Sequence, residues 1–217
     1  MSKIGSLVRV GAVALAAATL SVTLAACVSV FPKQSPANLF RFGMTSASPA
    51  LAAATTTTGA ERFGVLDTMT TFDRAAAGDR ILTVSGSEAA YIKGSRWLAP
   101  ANILFDEAVT RAFDGSGGPA RLITHGQVVR ADYVLKLDVR AFEARYDHGD
   151  KAAPTIVVTV HADLDRVSDR LSAGSRTFEA SVPASDNRVG AIAAAFDQAV
   201  TKVLGDLVAW TDGKGQG

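Results

Sequence analysis

Two stretches in the second half of the chain alternate apolar and polar residues with the two-residue period of a strand. In the first, Tyr133, Leu135, Leu137 and Val139 alternate with Lys136, Asp138 and Arg140. In the second, Ile156, Val158, Val160, Ala162 and Leu164 alternate with Thr159, His161, Asp163 and Asp165. The intervening Tyr146-Asp147-His148-Gly149-Asp150-Lys151 has turn chemistry, so the pair reads as a hairpin whose polar face sets Lys136 and Arg140 near Asp163 and Asp165. A third strand, about Ser175 to Val182, continues the meander. Upstream, Arg80-Ile81-Leu82-Thr83-Val84 and Glu88-Ala89-Ala90-Tyr91-Ile92-Lys93 flank Ser85-Gly86-Ser87 and predict a β-ribbon. Leu39-Phe40-Arg41-Phe42 predicts a short edge strand, and Arg62 to Phe72 fits either a strand or an irregular connection.

Two segments switch to helical spacing. Pro100 opens one that runs to about Phe113, with Leu104, Phe105, Ala108, Val109, Ala112 and Phe113 on one face and Asp114-Gly115-Ser116-Gly117-Gly118-Pro119 as its stop. The other begins near Ser185 or Asp186 and runs about 25 residues, roughly 37 Å at the helical rise. Its stripe is Val189, Ile192, Phe196, Val200, Val203 and Leu207, which predicts packing on a sheet. The resulting expectation is an α/β fold: a single layered domain with a mixed β-sheet, antiparallel hairpins and packed helices, including a long C-terminal helix.

The N-terminus changes the picture from fold to location. Lys3 and Arg9 lead into an apolar or small-residue run from Val10 to Ala26, which ends in Leu24-Ala25-Ala26-Cys27. Basic head, apolar middle and small residues before a cut make a secretory signal, and the last four residues resemble the lipobox of bacterial lipoproteins. Cleavage between Ala26 and Cys27 with lipidation of Cys27 is expected over an uncleaved transmembrane anchor, for which the run is of borderline length. Cys27 is also the chain's single cysteine, so no internal disulfide is available. The chain then divides into a lipoprotein signal at 1–26, a lipidated N-terminus and Ala/Ser/Thr/Pro-rich tether at 27–60, an α/β domain at 61–211 and a tail at 212–217. Losing Lys3 and Arg9 takes 22 basic residues to 20 against 21 acidic ones, a net charge of −1. That balance lacks the basic footprint of a nucleic-acid binder.

Candidate chemistry is sparse. His125, His148 and His161 are scattered. His161, Asp163 and Asp165 share a strand face at about 6.7 Å intervals, which clamps a metal only if another element supplies ligands. A solvated charge ladder is the expectation, with no metal and no cofactor. There is no Gly-x-Ser-x-Gly elbow, and Gly115 to Gly118 lacks the lysine of a phosphate-binding loop; the reading is that the protein is not an enzyme. Tyr91 and Trp97 are the candidate partner contacts, because aromatic residues supply many interface hot spots. For Trp97 the competing reading is a cap on the core where the ribbon meets the Pro100 helix.

Taken together, the lipobox, Phe40-Arg41-Phe42, Asp79-Arg80-Ile81, Ala90-Tyr91-Ile92-Lys93, Ser95-Arg96-Trp97, Ala131-Asp132-Tyr133-Val134-Leu135 and Leu137 to Ala144 occur in the order of one known pattern. The chain resembles the ABC-type transport auxiliary lipoprotein family, lipoprotein partners of transporters that carry Mce-domain proteins. The resemblance implies an α/β layered domain with a mixed sheet and a non-enzymatic role in envelope lipid transport. Its implied partners are an Mce-domain protein and an ABC permease and ATPase. It also implies triacylation of Cys27, palmitate among the acyl groups, and a lipid-anchored place on the outer membrane's periplasmic face. A structural envelope lipoprotein without a transport role stands as the alternative, and homo-oligomerisation is held open by analogy alone.

Overall fold

The alternating hairpin forms as read: β7 (Tyr133–Arg145) and β8 (Thr155–Arg166) pair antiparallel along their whole lengths. Along β7 the buried positions change parity, from Leu135, Leu137 and Val139 to Phe142 and Ala144. A bulge makes this work. The register steps between Val139 and Ala141, leaving Arg140 as the extra residue, and one extra residue returns the following side chains to the same face. The register also corrects one expected contact. Lys136 reaches Asp165 at 2.8 Å, but Arg140 turns back to Asp138 on its own strand at 3.0 Å.

The computed structural model describes residues 36–44, 62–124, 126, 127 and 129–216. Ahead of β7 come β1 (Asn38–Phe40), β2 (Phe63–Asp67), β3 (Thr71–Phe72), β4 (Arg80–Ser85), β5 (Glu88–Trp97) and β6 (Ala120–Ile123). Arg62 to Phe72 therefore holds two short strands. The β4–β5 ribbon is antiparallel, as expected, and the meander closes with β9 (Ser172–Pro183), antiparallel to β8. Strand β7 is the hub of a mixed nine-stranded sheet. One of its edges takes β8 throughout. The other is shared by β2, β3 and β4, all parallel to it. Among the described residues the sheet ends at β1 beyond β5, at β6 beyond β2, at β9 beyond β8 and at the two-residue β3, which pairs only with β7.

Helix α1 (Ala101–Ser116) starts after Pro100, whose carbonyl accepts the amides of Ile103 and Leu104, and stops at Gly117, left-handed with φ 67°. Glycine takes that backbone conformation without steric penalty. Helix α2 (Val189–Asp212) begins at the first residue of the stripe, a few residues after the expected Ser185 or Asp186, and buries Ile192, Phe196, Val200, Val203 and Leu207. Both helices lie on the Phe142 side of the sheet: Phe142 meets Phe196 of α2, and Phe72 bridges Phe142 to Phe105 of α1. The opposite face carries the charged residues of β7 and β8. No helix among the described residues is long and apolar enough to cross a membrane.

The expected short edge strand forms as β1, and residues 38–44 belong to the folded unit. Strand β1 runs parallel to β5, and Phe42 just after it is fully buried. Gly43, at φ +71°, packs so close that a Cβ there would overlap the Ala108 Cβ of α1. Its carbonyl accepts Arg111 Nε at 2.9 Å, and the Met44 amide donates to Asp197 at 3.1 Å.

Candidate functional site

Ala26 and Cys27, the expected cleavage and lipidation residues, lie outside the described residues, as does His125. The other two sequence candidates sit on β5, six residues apart, and their surroundings differ. Trp97 is 2% exposed. Its ring meets Phe42 at 5.0 Å and Phe196 at 5.2 Å, both edge-on, with Phe142 at 6.2 Å. Rings from β7, from α2 and from the segment after β1 converge on this indole, so it is not a partner contact: burial gives it to the core. Tyr91 is half-buried, its ring covered by the Arg80 guanidinium 3.7 Å from the centroid and its hydroxyl donating to the Ala75 carbonyl at 3.0 Å. Ordering by Arg80 and Ala75 makes Tyr91 a rigid, partly accessible aromatic on the ribbon.

On the polar face of the sheet, His161 Nδ1 meets Thr177 Oγ1 at 3.0 Å and Nε2 meets Ser175 Oγ at 3.2 Å, with Asp163 at 3.5 Å. Asp165 is taken by Lys136, whose pKa its hydrogen bond and charge hold above the usual lysine value. The ladder His161, Asp163, Asp165 is therefore tied to neighbours on β9 and β7 rather than converging on one point. Among the described residues, no three or more His, Cys, Asp and Glu side chains are grouped to hold an ion.

Clefts open at three places among the described residues. One of about 510 Å³ lies between the start of β7 and the β8–β9 turn, lined by Leu66, Arg130, Tyr133, Arg166 and Val167 among others. A second, about 350 Å³, lies at the ribbon tip among Thr83, Glu88, Ile92, Tyr146 and Asp150. There the Tyr146 hydroxyl donates to Asn187 at 2.8 Å, and burial, then the Asp150 charge, pushes its pKa up. The third, about 340 Å³, is bounded by Phe40, Met44, Ala193 and Asp197. No histidine or cysteine lines any of the three, and at the ribbon tip the Ser85 hydroxyl donates to Asp150 at 3.4 Å. What the surface offers is shape: a rigid ribbon, shallow clefts and open strand edges. The sequence signals neither the clefts nor the edges, because both depend on which distant strands become neighbours.

Among solved structures, a protein from Xanthomonas campestris is 30% identical, with a TM-score of 0.72, over 83% of this chain and 97% of that one. An uncharacterized protein shares the fold at 10% identity and a TM-score of 0.59, over 82% and 99% of the two chains. A hypothetical protein from Chlamydia trachomatis is 14% identical at a TM-score of 0.49, over 71% and 98%. No curated protein matches. The family model for the ABC-type transport auxiliary lipoprotein component matches residues 46–208, which takes in everything from β2 to the last turn of α2. The chain belongs to the family of ABC-type transport auxiliary lipoprotein components.

Proposed function

We propose that the protein is cut before Cys27, anchored by acyl chains on that residue to the periplasmic face of the outer membrane, and acts as a docking component of an Mce-type ABC system that moves lipid between membranes. The observation that carries this reading is the family match over residues 46–208, read with Leu24-Ala25-Ala26-Cys27 at the head of the chain. Several acyl chains hold a protein stably on a bilayer where one is marginal. Only ten residues separate Cys27 from β1, at most about 35 Å when fully extended, so the domain stays close to the membrane that holds it. Tyr91, backed by Arg80, is its candidate contact for the transporter. The energy of transport comes from the ATPase partner, and the role of this chain is to bind and position.

The test is affinity isolation of the tagged full-length protein from crosslinked membranes, with mass spectrometry and a Cys27→Ser control. Recovery of an Mce-domain protein with its permease and ATPase from wild type, and its loss from the control, is the expected result. Recovery of cell-wall or unrelated outer-membrane proteins alone overturns it in favour of a structural envelope role.

A further inference from the structure

The start of β7 lies beside the β8–β9 turn, where the Val167 amide donates to the Asp132 carbonyl at 2.8 Å. The segment 129–132 just ahead of β7 is held on its other side by β2. The Gly64 amide donates to Asp132 Oδ2 at 2.8 Å, the Asp132 amide donates to the Gly64 carbonyl at 2.8 Å, and a Cβ on Gly64 would overlap the Arg130 carbonyl. Two loops are thus fixed side by side, and both line the cleft of about 510 Å³.

Around this cleft Val129 is 64% exposed, Val167 44% and Leu171 58%. Scattered apolar residues on a surface are ordinary, whereas a group of them rimmed by charge marks an interaction site. The rim is basic. Arg62, Arg130 and Arg170 are exposed, and Arg166 lines the cleft. The carboxylates of the two loops are both engaged: Asp132 by the Gly64 amide, and Asp169 by Arg166 at 3.0 Å and by the Leu171 amide at 3.0 Å. Among the described residues, Arg130 and Arg170 make no ion pair. Arg170 also has a left-handed backbone, φ 61°, as no other described non-glycine residue does. Asparagine or glycine takes that conformation more readily, so the turn holds an arginine against its backbone preference.

The direction of β1 decides between occupants. Asn38 is level with Ser95 and Phe40 with Trp97, so β1 enters the sheet from the ribbon-tip side. Leu39 is level with Arg96, Arg96 with Arg80, and the Thr83–Ala144 pairing carries that level to Ala141 of β7. From Ala141 back to Tyr133 the strand runs roughly 26 Å, and the cleft lies beyond. The ten residues between Cys27 and β1 reach at most about 35 Å, so this end touches the anchoring bilayer only if they run back along the domain almost straight. It therefore faces away from that membrane, toward soluble or transporter-borne partners, and its unpaired arginines select a carboxylate-bearing one. We propose that the start of β7 and the β8–β9 turn form a docking surface for an acidic, partly apolar segment of a protein partner, whose carboxylates meet Arg130 and Arg170 and whose apolar side chains enter the cleft. The proposal rests on the anchoring of Cys27 in the function proposed above, and not on transport.

Photocrosslinking in native membranes tests it, with benzoylphenylalanine in place of Val167 in the full-length chain and, as the control, in place of Ser87 at the ribbon tip. Position 167 is expected to give an adduct with one envelope protein, mapped by mass spectrometry to a segment rich in Asp and Glu, and position 87 none with that protein. Arg130→Glu together with Arg170→Glu is expected to cut the yield about tenfold, and the corresponding pair of lysines to keep most of it. No adduct at 167, an adduct with phospholipid or with a second copy of this chain, a segment without acidic residues, or a yield that the glutamate pair leaves unchanged overturns the proposal. If the glutamate pair does not fold, raised salt takes its place: screening of exposed charges is expected to lower the yield, and a salt-independent yield overturns the proposal. An acidic partner outside any transporter leaves this surface standing and counts against the proposed function, whereas a phospholipid adduct at 167 leaves that function standing.

Discussion

Among the described residues the sheet ends at β1, β6 and β9 and at the two-residue β3, and the short ends β1 and β6 contrast with the long β9. Strand β1 has three residues and β6 four, and each is held by contacts from far along the chain. Next to β1, Phe42 fills the aromatic cluster and Gly43 abuts α1; at β6, Asp212 from the end of α2 accepts the Ala120 amide at 3.0 Å. Strand β9 has twelve residues, helix α2 against one face, and an open line of amides and carbonyls. The two short ends are pinned by residues from far along the chain, and β9 is held along its length by β8 and α2.

The largest test of that contrast is Phe42→Ala. Phe42 lies 5.0 Å from Trp97 and 4.9 Å from Phe142, ring centre to ring centre, and emptying such a site costs about 3–5 kcal/mol. Thermal or urea unfolding of the detergent-solubilised chain is expected to show the loss. A change near zero means that the β1 end contributes little and the contrast is false.

Next in size is a pair of prolines on β9. The Ala184 amide donates to the Pro154 carbonyl at 2.9 Å, and N–H groups alternate sides along an antiparallel strand, so Ala180 turns its N–H to β8 and Thr177 presents its own to solvent. Ala180→Pro therefore breaks a ladder bond and strands the opposing Val158 carbonyl, a loss of roughly 1–3 kcal/mol. Thr177→Pro removes an outward N–H and is expected to cost the folded chain clearly less, as prolines on sheet edges do. Equal losses in unfolding experiments mean that the assignment of outward residues along β9 is wrong.

How much of this was legible in the sequence differs between the strands and their neighbours. The β7–β8 hairpin, the β4–β5 ribbon and both helices were readable, because one solvated face imposes a local period of two and one buried stripe a period of three to four. Even the bulge left a trace, in the step from Val139 to Phe142 among buried positions. The parallel pairings β1–β5 and β2–β7 left none, since parallel partners are joined by long connections with no turn signature. Trp97 shows the cost. Its neighbours Phe42, Phe142 and Phe196 come from three widely separated stretches of the chain, so the same indole reads equally well as contact or core until the strands are ordered. The open edge at β9 was illegible for the same reason: its alternation marks a strand, and only the sheet order makes it the last one.

A smaller effect is expected from Gly43→Ala. A left-handed backbone costs an L residue about 1–2 kcal/mol, and the added methyl overlaps Ala108. Calorimetric unfolding should show a loss of at least that size, and restoring room with Ala108→Gly in the same chain should recover part of it, less the helix penalty of glycine. No recovery in the double variant means that the contact with α1 does not hold this end.

The smallest effect belongs to β6, and it has a sign. Burial raises the Asp212 pKa above the ordinary 3.8, with the Ala120 amide pulling it back. Gly118 makes room for this carboxylate, since a Cβ there would overlap it. A carboxyl whose folded pKa is raised binds its proton more tightly in the native than in the unfolded chain. Its contribution is therefore fully present below the unfolded value and is lost as pH rises through the folded one. Asp212→Asn keeps an oxygen for the Ala120 amide and removes the buried charge. The variant should unfold at a slightly higher temperature than wild type at neutral pH, and the difference should shrink as pH falls below 3.8. If the asparagine chain is the less stable one at neutral pH, the β6 end depends on the charge itself, and its hold is electrostatic where that at β1 is packing.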